Sequence, residues 1–348
     1  MIGKKIGSYK LVGELGAGGM GRVYEAQHTL LGHNVAIKVL LDHYSNNEMV
    51  VERFFREAKA AARIRHPGLV EILDFGYTDE GPAYIVMELL KGEGLRQRIE
   101  RFGRLHEKET LHLSQQLANV LITTHAAHIV HRDLKPDNIF LIPDAESHSG
   151  IRVKLLDFGV AKLTDLPEDA SKTTTGTILG SPLYMSPEQC SGSGAVDHRA
   201  DIYSLGCVMY HMLCGRPPFV ARGSGQLIAQ HIYEPPVPLT RFEPSVRSEV
   251  ENLVMQCLVK DPDRRFASMA EVEQALLAVG ALTAPSRLGT APTEPWTGRA
   301  QSEVPPTPHN SAALFAPMTG AGQGMELLPP DTLHSHSDLA SPTPFGSL

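Results

Sequence analysis

Alternation of apolar and polar positions dominates the first stretch of the chain, up to about residue 90. The runs "KLVGEL", "RVYEAQ", "VAIKVL", "EILDFGY" and "AYIVMEL" each read as a strand. In "VAIKVL", Val35, Ile37 and Val39 share one face, while Ala36, Lys38 and Leu40 share the other. One segment, 48–63, follows a helical period instead. Val51, Phe54, Phe55, Ala58, Ala61 and Ala62 form its apolar stripe, Glu57 flanks that stripe, and Glu52 is expected to face water. After residue 105 longer helical patterns take over, as in Leu113, Leu117, Val120 and Leu121. The pattern therefore predicts an α+β protein of two lobes, a small β-rich one with a single helix (about 1–88) and a larger helical one (about 89–282). From Thr283 onward Pro, Ser, Thr and Gly prevail without any period. Such a segment cannot bury enough apolar area to offset its chain entropy, so 283–348 is expected to be a disordered tail.

Composition narrows the functional classes. With 348 residues and 42% hydrophobic content the chain can fill a sizeable core. Its formal charge of -7 and lack of any dense Lys/Arg run argue against nucleic acid as a partner, because phosphate neutralisation needs clustered cations. Cys190, Cys207, Cys214 and Cys257 lack CxxC spacing, which suggests reduced thiols rather than a zinc site or a disulfide framework. No stretch approaches the ~18 consecutive apolar residues of a membrane helix, and "MIGKKIGSYK" has no apolar signal core. The expectation is a cytoplasmic protein without a membrane span.

Chemistry concentrates in a few short stretches. In "LGAGGMGRV", Gly16, Gly18 and Gly21 take G-x-G-x-x-G spacing, which permits close backbone approach to phosphates. A dinucleotide fold would need a helix directly afterwards, and a Walker A loop would need GK[ST]; here the glycines lie between two strands. By itself the spacing is equally compatible with a plain tight turn. Lys38, on a half-apolar strand face, ought to have an anionic partner, and Glu57 is available for it. "HRDLKPDNIF" packs His131, Arg132, Asp133, Lys135, Asp137 and Asn138 into one loop. "RVKLLDFGVAK" runs as a strand into Asp157, whose carboxylate could join the Asn138 amide as a hard oxygen ligand for Mg2+.

In order along the chain stand G-x-G-x-x-G-x-V (16–23), V-A-I-K (35–38), H-R-D-L-K-P-x-N (131–138), D-F-G (157–159) and S-P-E (186–188). With these the chain resembles the eukaryotic-like serine/threonine protein kinases, and "GAGGMGRVYEA", "DHRADIYSLGCVMY" and "EPPVPL" resemble their bacterial branch. The resemblance implies the two-lobed kinase fold, a catalytic domain over 1–282, and transfer of the ATP γ-phosphate to Ser/Thr hydroxyls of protein substrates with Mg2+, or Mn2+ in its place. It implies that Asp133 accepts the hydroxyl proton, that Lys135 contacts the transferred group, and that Asn138 and Asp157 hold the metal. Lys38 would grip the α and β phosphates, held by Glu57. The nucleotide would lie under Leu15, Gly16, Ala17, Gly18, Gly19, Met20, Gly21, Arg22 and Val23, with Ala36, Met87 and the backbones of Glu88 and Leu90 around the base. His131 reads as structural, Glu188 as the partner of Arg265, and Asp201 as a brace for the catalytic loop.

Three departures stand out. Ser181 replaces the commoner threonine, Ser186 replaces alanine, and 143–150 lengthens a hairpin that reads as a solvated loop. The resemblance implies, from Arg132 beside Asp133, activation by autophosphorylation, with Thr173 and Thr175 as the foremost acceptors ahead of Thr174 and Thr177, and Lys162 and Arg53 as further cations around the phosphate. Homodimerisation through the small lobes, as in bacterial relatives, and binding of other proteins by the tail stay open. The rival readings are a pseudokinase scaffold, which loss of Lys38, Asp133, Asn138 or Asp157 would favour, and a small-molecule phosphotransferase. All four residues are present, and "GSPLYMSPE" favours protein substrates.

Overall fold

The computed structural model describes residues 1–147, 149–156, 182–192 and 196–281. Asp157, Lys162, Thr173, Thr175, Ser181 and the segment 283–348, all singled out above, lie outside the described residues. The first lobe is a six-stranded sheet of β1 (Lys5–Ile6), β2 (Tyr9–Ala17), β3 (Gly21–His28), β4 (Asn34–Leu40), β5 (Ile72–Tyr77) and β6 (Ala83–Glu88), in the order β1-β2-β3-β4-β6-β5. All its pairings are antiparallel, the geometry that short connections allow. A one-turn helix, α1 (Asp42–Ser45), and α2 (Glu48–Ala62) separate β4 from β5. The side chain of Asn47 caps α2 by accepting from the Val50 amide at 3.3 Å.

Alternation in β4 is expressed as two separate cores. Val35, Ile37 and Val39 pack with Leu11, Tyr24 and Val86 on the outer face of the sheet. Leu40 joins Val51, Phe54, Ala58 and Ile85 on the inner face, beneath α2. The apolar stripe of α2 is narrower than expected: Ala62 is exposed, and Phe55 is half-buried against Phe75 and Tyr77. Ala62 is the last helical residue, directly before the C-cap Arg63.

The second lobe follows a three-stranded sheet, β7 (Glu93–Gly94), β8 (Ile139–Pro143) and β9 (Ile151–Leu155), interrupted by α3 (Leu95–Phe102) and α4 (Glu107–Ala126). Then come α5 (Pro187–Cys190), α6 (Arg199–Cys214), α7 (Ser224–Tyr233), α8 (Ser248–Cys257) and α9 (Met269–Ala281). Every residue of α6 from Ala200 to Leu213 is buried, as a helix apolar on all sides must be. It forms the axis of the lobe, with Leu117 and Leu121 of α4, Val254 of α8 and Leu276 of α9 in the same core. The hairpin joining β8 and β9 is not simply solvated: Asp144 is salt-bridged to Arg152 at 2.6 Å, and the Ser147 hydroxyl lies 3.4 Å from His112 of α4.

Close approach of α6 to α8 depends on Gly206. A Cβ there would lie 2.7 Å from Cys257 Cβ and 3.1 Å from a Leu258 methyl. Gly206→Ala is therefore expected to cost about 1–3 kcal/mol through overpacking, lowering the thermal midpoint by several degrees. An unchanged midpoint in a calorimetric scan would contradict this packing.

Candidate active site

The loop between α4 and β8 is held from beneath by one carboxylate. Asp201 of α6 is fully buried and accepts the backbone N–H groups of His131 and Arg132, each at 2.8 Å, and the His125 Nε2–H at 2.8 Å. Burial alone would push this carboxyl up, but the hydrogen bonds from His125 and the Arg132 amide bring it below the ordinary carboxylate range. Arg132 sits at φ 63°, a left-handed conformation costing a side-chain-bearing residue about 1–2 kcal/mol. The Asp201 bond to its N–H and the 2.8 Å bond from Gln189 Nε2 to its carbonyl hold it there. His131 is buried, and burial lowers its pKa, so the ring is neutral. With Nδ1 accepting from the Asp133 N–H at 3.2 Å, its proton lies on Nε2, which donates to the Leu156 carbonyl at 3.2 Å. The imidazole thus serves as a spacer between Asp133 and the end of β9.

On this frame the chemical groups converge. Lys135 Nζ donates to Asp133 Oδ2 at 2.9 Å, and Asn138 Nδ2 donates to the same oxygen at 3.1 Å and to the Asp133 carbonyl at 2.8 Å. Both donors meet on the same carboxylate oxygen. Because the Asn138 contacts all use Nδ2, its amide oxygen remains as a hard donor of the kind Mg2+ takes.

Next to this loop, between the two sheets, lies a largely apolar cleft. Leu15, Val23 and Ala36 form one wall, Phe140 and Leu156 the other, and Met87 to Leu90 close the back, with Lys38 and Val70 also exposed to it. At the back, the Glu88 N–H is already given to the Glu71 carbonyl at 3.0 Å. Its side chain is fixed by Lys154 Nζ at 2.5 Å and the Glu71 amide at 2.8 Å. The Glu88 N–H and carboxylate are thus both engaged within the protein. Gly16 to Arg22, expected over the nucleotide, form the end of β2, the turn and the start of β3, outside the cleft lining. Gly21 has a packing reason of its own: a Cβ there would lie 2.6 Å from the Val39 carbonyl oxygen. Glu57 is largely buried on α2, with Arg53 Nε at 3.9 Å.

Val70, Leu89, Phe140, Leu156, Lys154 and Gln189 escaped the sequence reading. Phe140 could have been found, since it lies two residues beyond Asn138 on a strand, and Leu156 directly precedes Asp157. Two braces were anticipated and are present. Arg265 and Glu188 form a bidentate pair with both contacts at 2.7 Å, and Asp201 holds the loop.

The chain matches the protein kinase domain model over residues 9–277. It is 37% identical to the serine/threonine-protein kinase pkn3 of Myxococcus xanthus over 316 residues, which is 90% of this chain and 56% of that protein. It is 39% identical to PknA of Mycobacterium tuberculosis over 290 residues, 82% of this chain and 64% of the relative. Among solved structures, the PknI kinase domain of Mycobacterium tuberculosis aligns with a TM-score of 0.62 at 29% identity, covering 80% of this chain and 98% of that one. The chain belongs to the protein kinase family, in its bacterial serine/threonine branch. Members of this family use ATP with Mg2+. The chain spans between about 40% and two thirds of the length of pkn3, Pkn1 and PknA. No described helix is long and apolar enough to cross a membrane.

Asp201→Asn replaces a carboxylate serving three donors with an amide that brings two donors of its own. A loss of about 3–5 kcal/mol is expected, as for breaking a buried charged pair, together with a fall in any activity that needs the loop. The folded-state pKa of Asp201 is depressed. Its contribution is therefore present above its unfolded pKa of about 4 and is lost as pH falls through the folded value. Urea melts should show the gap between wild type and variant narrowing from pH 7 to pH 3. A gap that widens on acidification would contradict the assignment.

Proposed function

We propose that the chain is an ATP-dependent protein serine/threonine kinase, and that Asp133, Lys135, Asn138, Lys38 and Glu57 carry its catalysis. The observation that carries this reading is the Asp133 carboxylate, on one oxygen of which Lys135 and Asn138 converge. In the reaction the acceptor hydroxyl oxygen forms a bond to the γ-phosphorus, the bond to the bridging β–γ oxygen breaks, ADP leaves, and the hydroxyl proton passes to Asp133. Lys135, beside that oxygen, offsets charge on the moving phosphoryl group. The apolar walls fit a planar base, with the Glu88 carbonyl and the Leu90 backbone at its edge. Lys38 reaches the phosphates from the cleft wall, oriented by Glu57 of α2.

The donor set suits Mg2+ as far as it is described: the amide oxygen of Asn138 is a hard ligand, and Asp157, outside the described residues, would be the second. Bound there, the ion neutralises phosphate charge and holds the nucleotide for in-line transfer. Asn138 keeps its amide oriented through the two Nδ2 bonds, so its oxygen needs no reorientation on loading.

Regulation follows the same reading. Arg132 donates from Nη2 to the Val196 carbonyl at 3.2 Å, while its buried Nε has no hydrogen-bond partner among the described residues. That supports a phosphate on Thr173 or Thr175 as its counter-charge. The bacterial serine/threonine kinases among the relatives support protein substrates. Among the described residues of the site, none favours a non-catalytic scaffold.

Lys38→Met is expected to lower turnover by ~10²-fold or more, as removal of one charge-stabilising donor does, while the melting curve stays close to that of wild type. Incorporation of labelled phosphate into a generic protein substrate at near-normal rate by the variant would refute the assignment.

A further inference from the structure

One charged pair beside the site has no role in the reading above. Asp137 directly precedes Asn138, and its carboxylate is held bidentately by Arg96 in the first turn of α3, Nε to Oδ1 at 2.5 Å and Nη2 to Oδ2 at 2.7 Å. The pair is open to solvent, with Arg96 29% and Asp137 42% exposed. Arg96 is supported from further directions: the Tyr184 hydroxyl neighbours the same guanidinium, and Glu100 lies 4.0 Å from Nη1. Tyr184 in turn bonds His211 Nδ1 of α6 at 2.7 Å. The four side chains thus link α3, the catalytic loop, the turn before α5 and α6.

An acceptor hydroxyl must come to Asp133. Asn138 touches that carboxylate at 3.1 Å, and Asp137 is its neighbour in the chain, with its Cα about 3.8 Å away. An extended acceptor segment advances about 3.4 Å per residue, so a side chain two or three positions from the acceptor meets this pair within about one screening length. Left alone, Asp137 would attract a cationic side chain there. Closed with Arg96, it offers no net charge. A peptide cation would have to displace a bidentate partner already held in place, which a singly tethered Lys or Arg does poorly.

We propose that Arg96 is a specificity-determining residue: by neutralising Asp137 it makes the enzyme indifferent to basic residues flanking the acceptor Ser or Thr. This rests on the protein kinase reading. It predicts that removing Arg96 creates a basic-residue preference rather than merely weakening the enzyme.

The test is a set of peptides with one central Ser in an Ala background and a single Arg placed in turn at each of five positions on either side, with kcat/KM measured for each. Wild type should vary by less than about threefold across the set. Arg96→Ala should favour Arg at one or two positions by about tenfold or more, and the preference should shrink in high salt because the pair is exposed. Arg96→Ala/Asp137→Asn should return to the flat profile, which separates Asp137 from the newly unpaired Glu100. Arg96→Lys, which keeps the charge but not the fork, should give an intermediate preference, and it stands in if Arg96→Ala does not fold. A flat profile in the folded Arg96 variants, or a preference that survives in the double variant, overturns the proposal. A wild type inactive on every peptide and on protein substrates would overturn the kinase reading itself, and this proposal with it.

Discussion

The buried charge of Asp201 is the constraint on which the site is built. A carboxylate with no exposure in the first turn of α6 is costly unless every donor it needs is supplied. Here two loop amides and one imidazole supply them. The same bonds force the chain through Arg132 in a conformation that such a residue otherwise avoids. His131, Asp133, Lys135 and Asn138 then have little freedom left. The energy for this comes from the packing of α6 itself, which is buried along nearly its whole length.

A second anchoring point lies at the junction of the lobes. Lys154 of β9 is buried and reaches both Glu88 at the end of β6 and the Leu69 carbonyl at 3.0 Å. The Leu155 N–H donates to the Gly68 carbonyl at 2.7 Å, so β9 is stitched to the loop that follows α2. Strand β9 therefore connects the cleft back, the helix carrying Glu57 and the approach to Asp157. Movement of α2 relative to the 131–138 loop would have to pass through these bonds.

How much of this was legible in the sequence depended on range. The period-2 runs located β2 to β6 because one strand's alternation is a local property, and the two faces of β4 do pack into separate cores. The cluster at 131–138 was visible for the same reason. Edges were less legible: Ala62 belongs to the stripe by period but ends the helix exposed, and β1 and α1 are too short to carry a period. Asp201 and the Glu188–Arg265 pair were foreseen only through family resemblance. Long-range pairings with no such guide were missed, as with Lys154 and Glu88, 66 positions apart, or Arg96 and Asp137, 41 apart. No local pattern distinguishes Asp137 held by Arg96 from a solvated aspartate, because the partner's position is decided by how α3 packs.

Asp201 holds the 131–138 loop in place before any nucleotide arrives. Amide hydrogen exchange at His131 and Arg132 in the nucleotide-free protein measures this directly, since both N–H groups end on that carboxylate. Exchange as slow as that of the α6 core, and unchanged when ATP and Mg2+ are added, is the result the account predicts. Exchange at the rate of an exposed loop, becoming slow only with nucleotide, would show that the ligand and not Asp201 assembles the site.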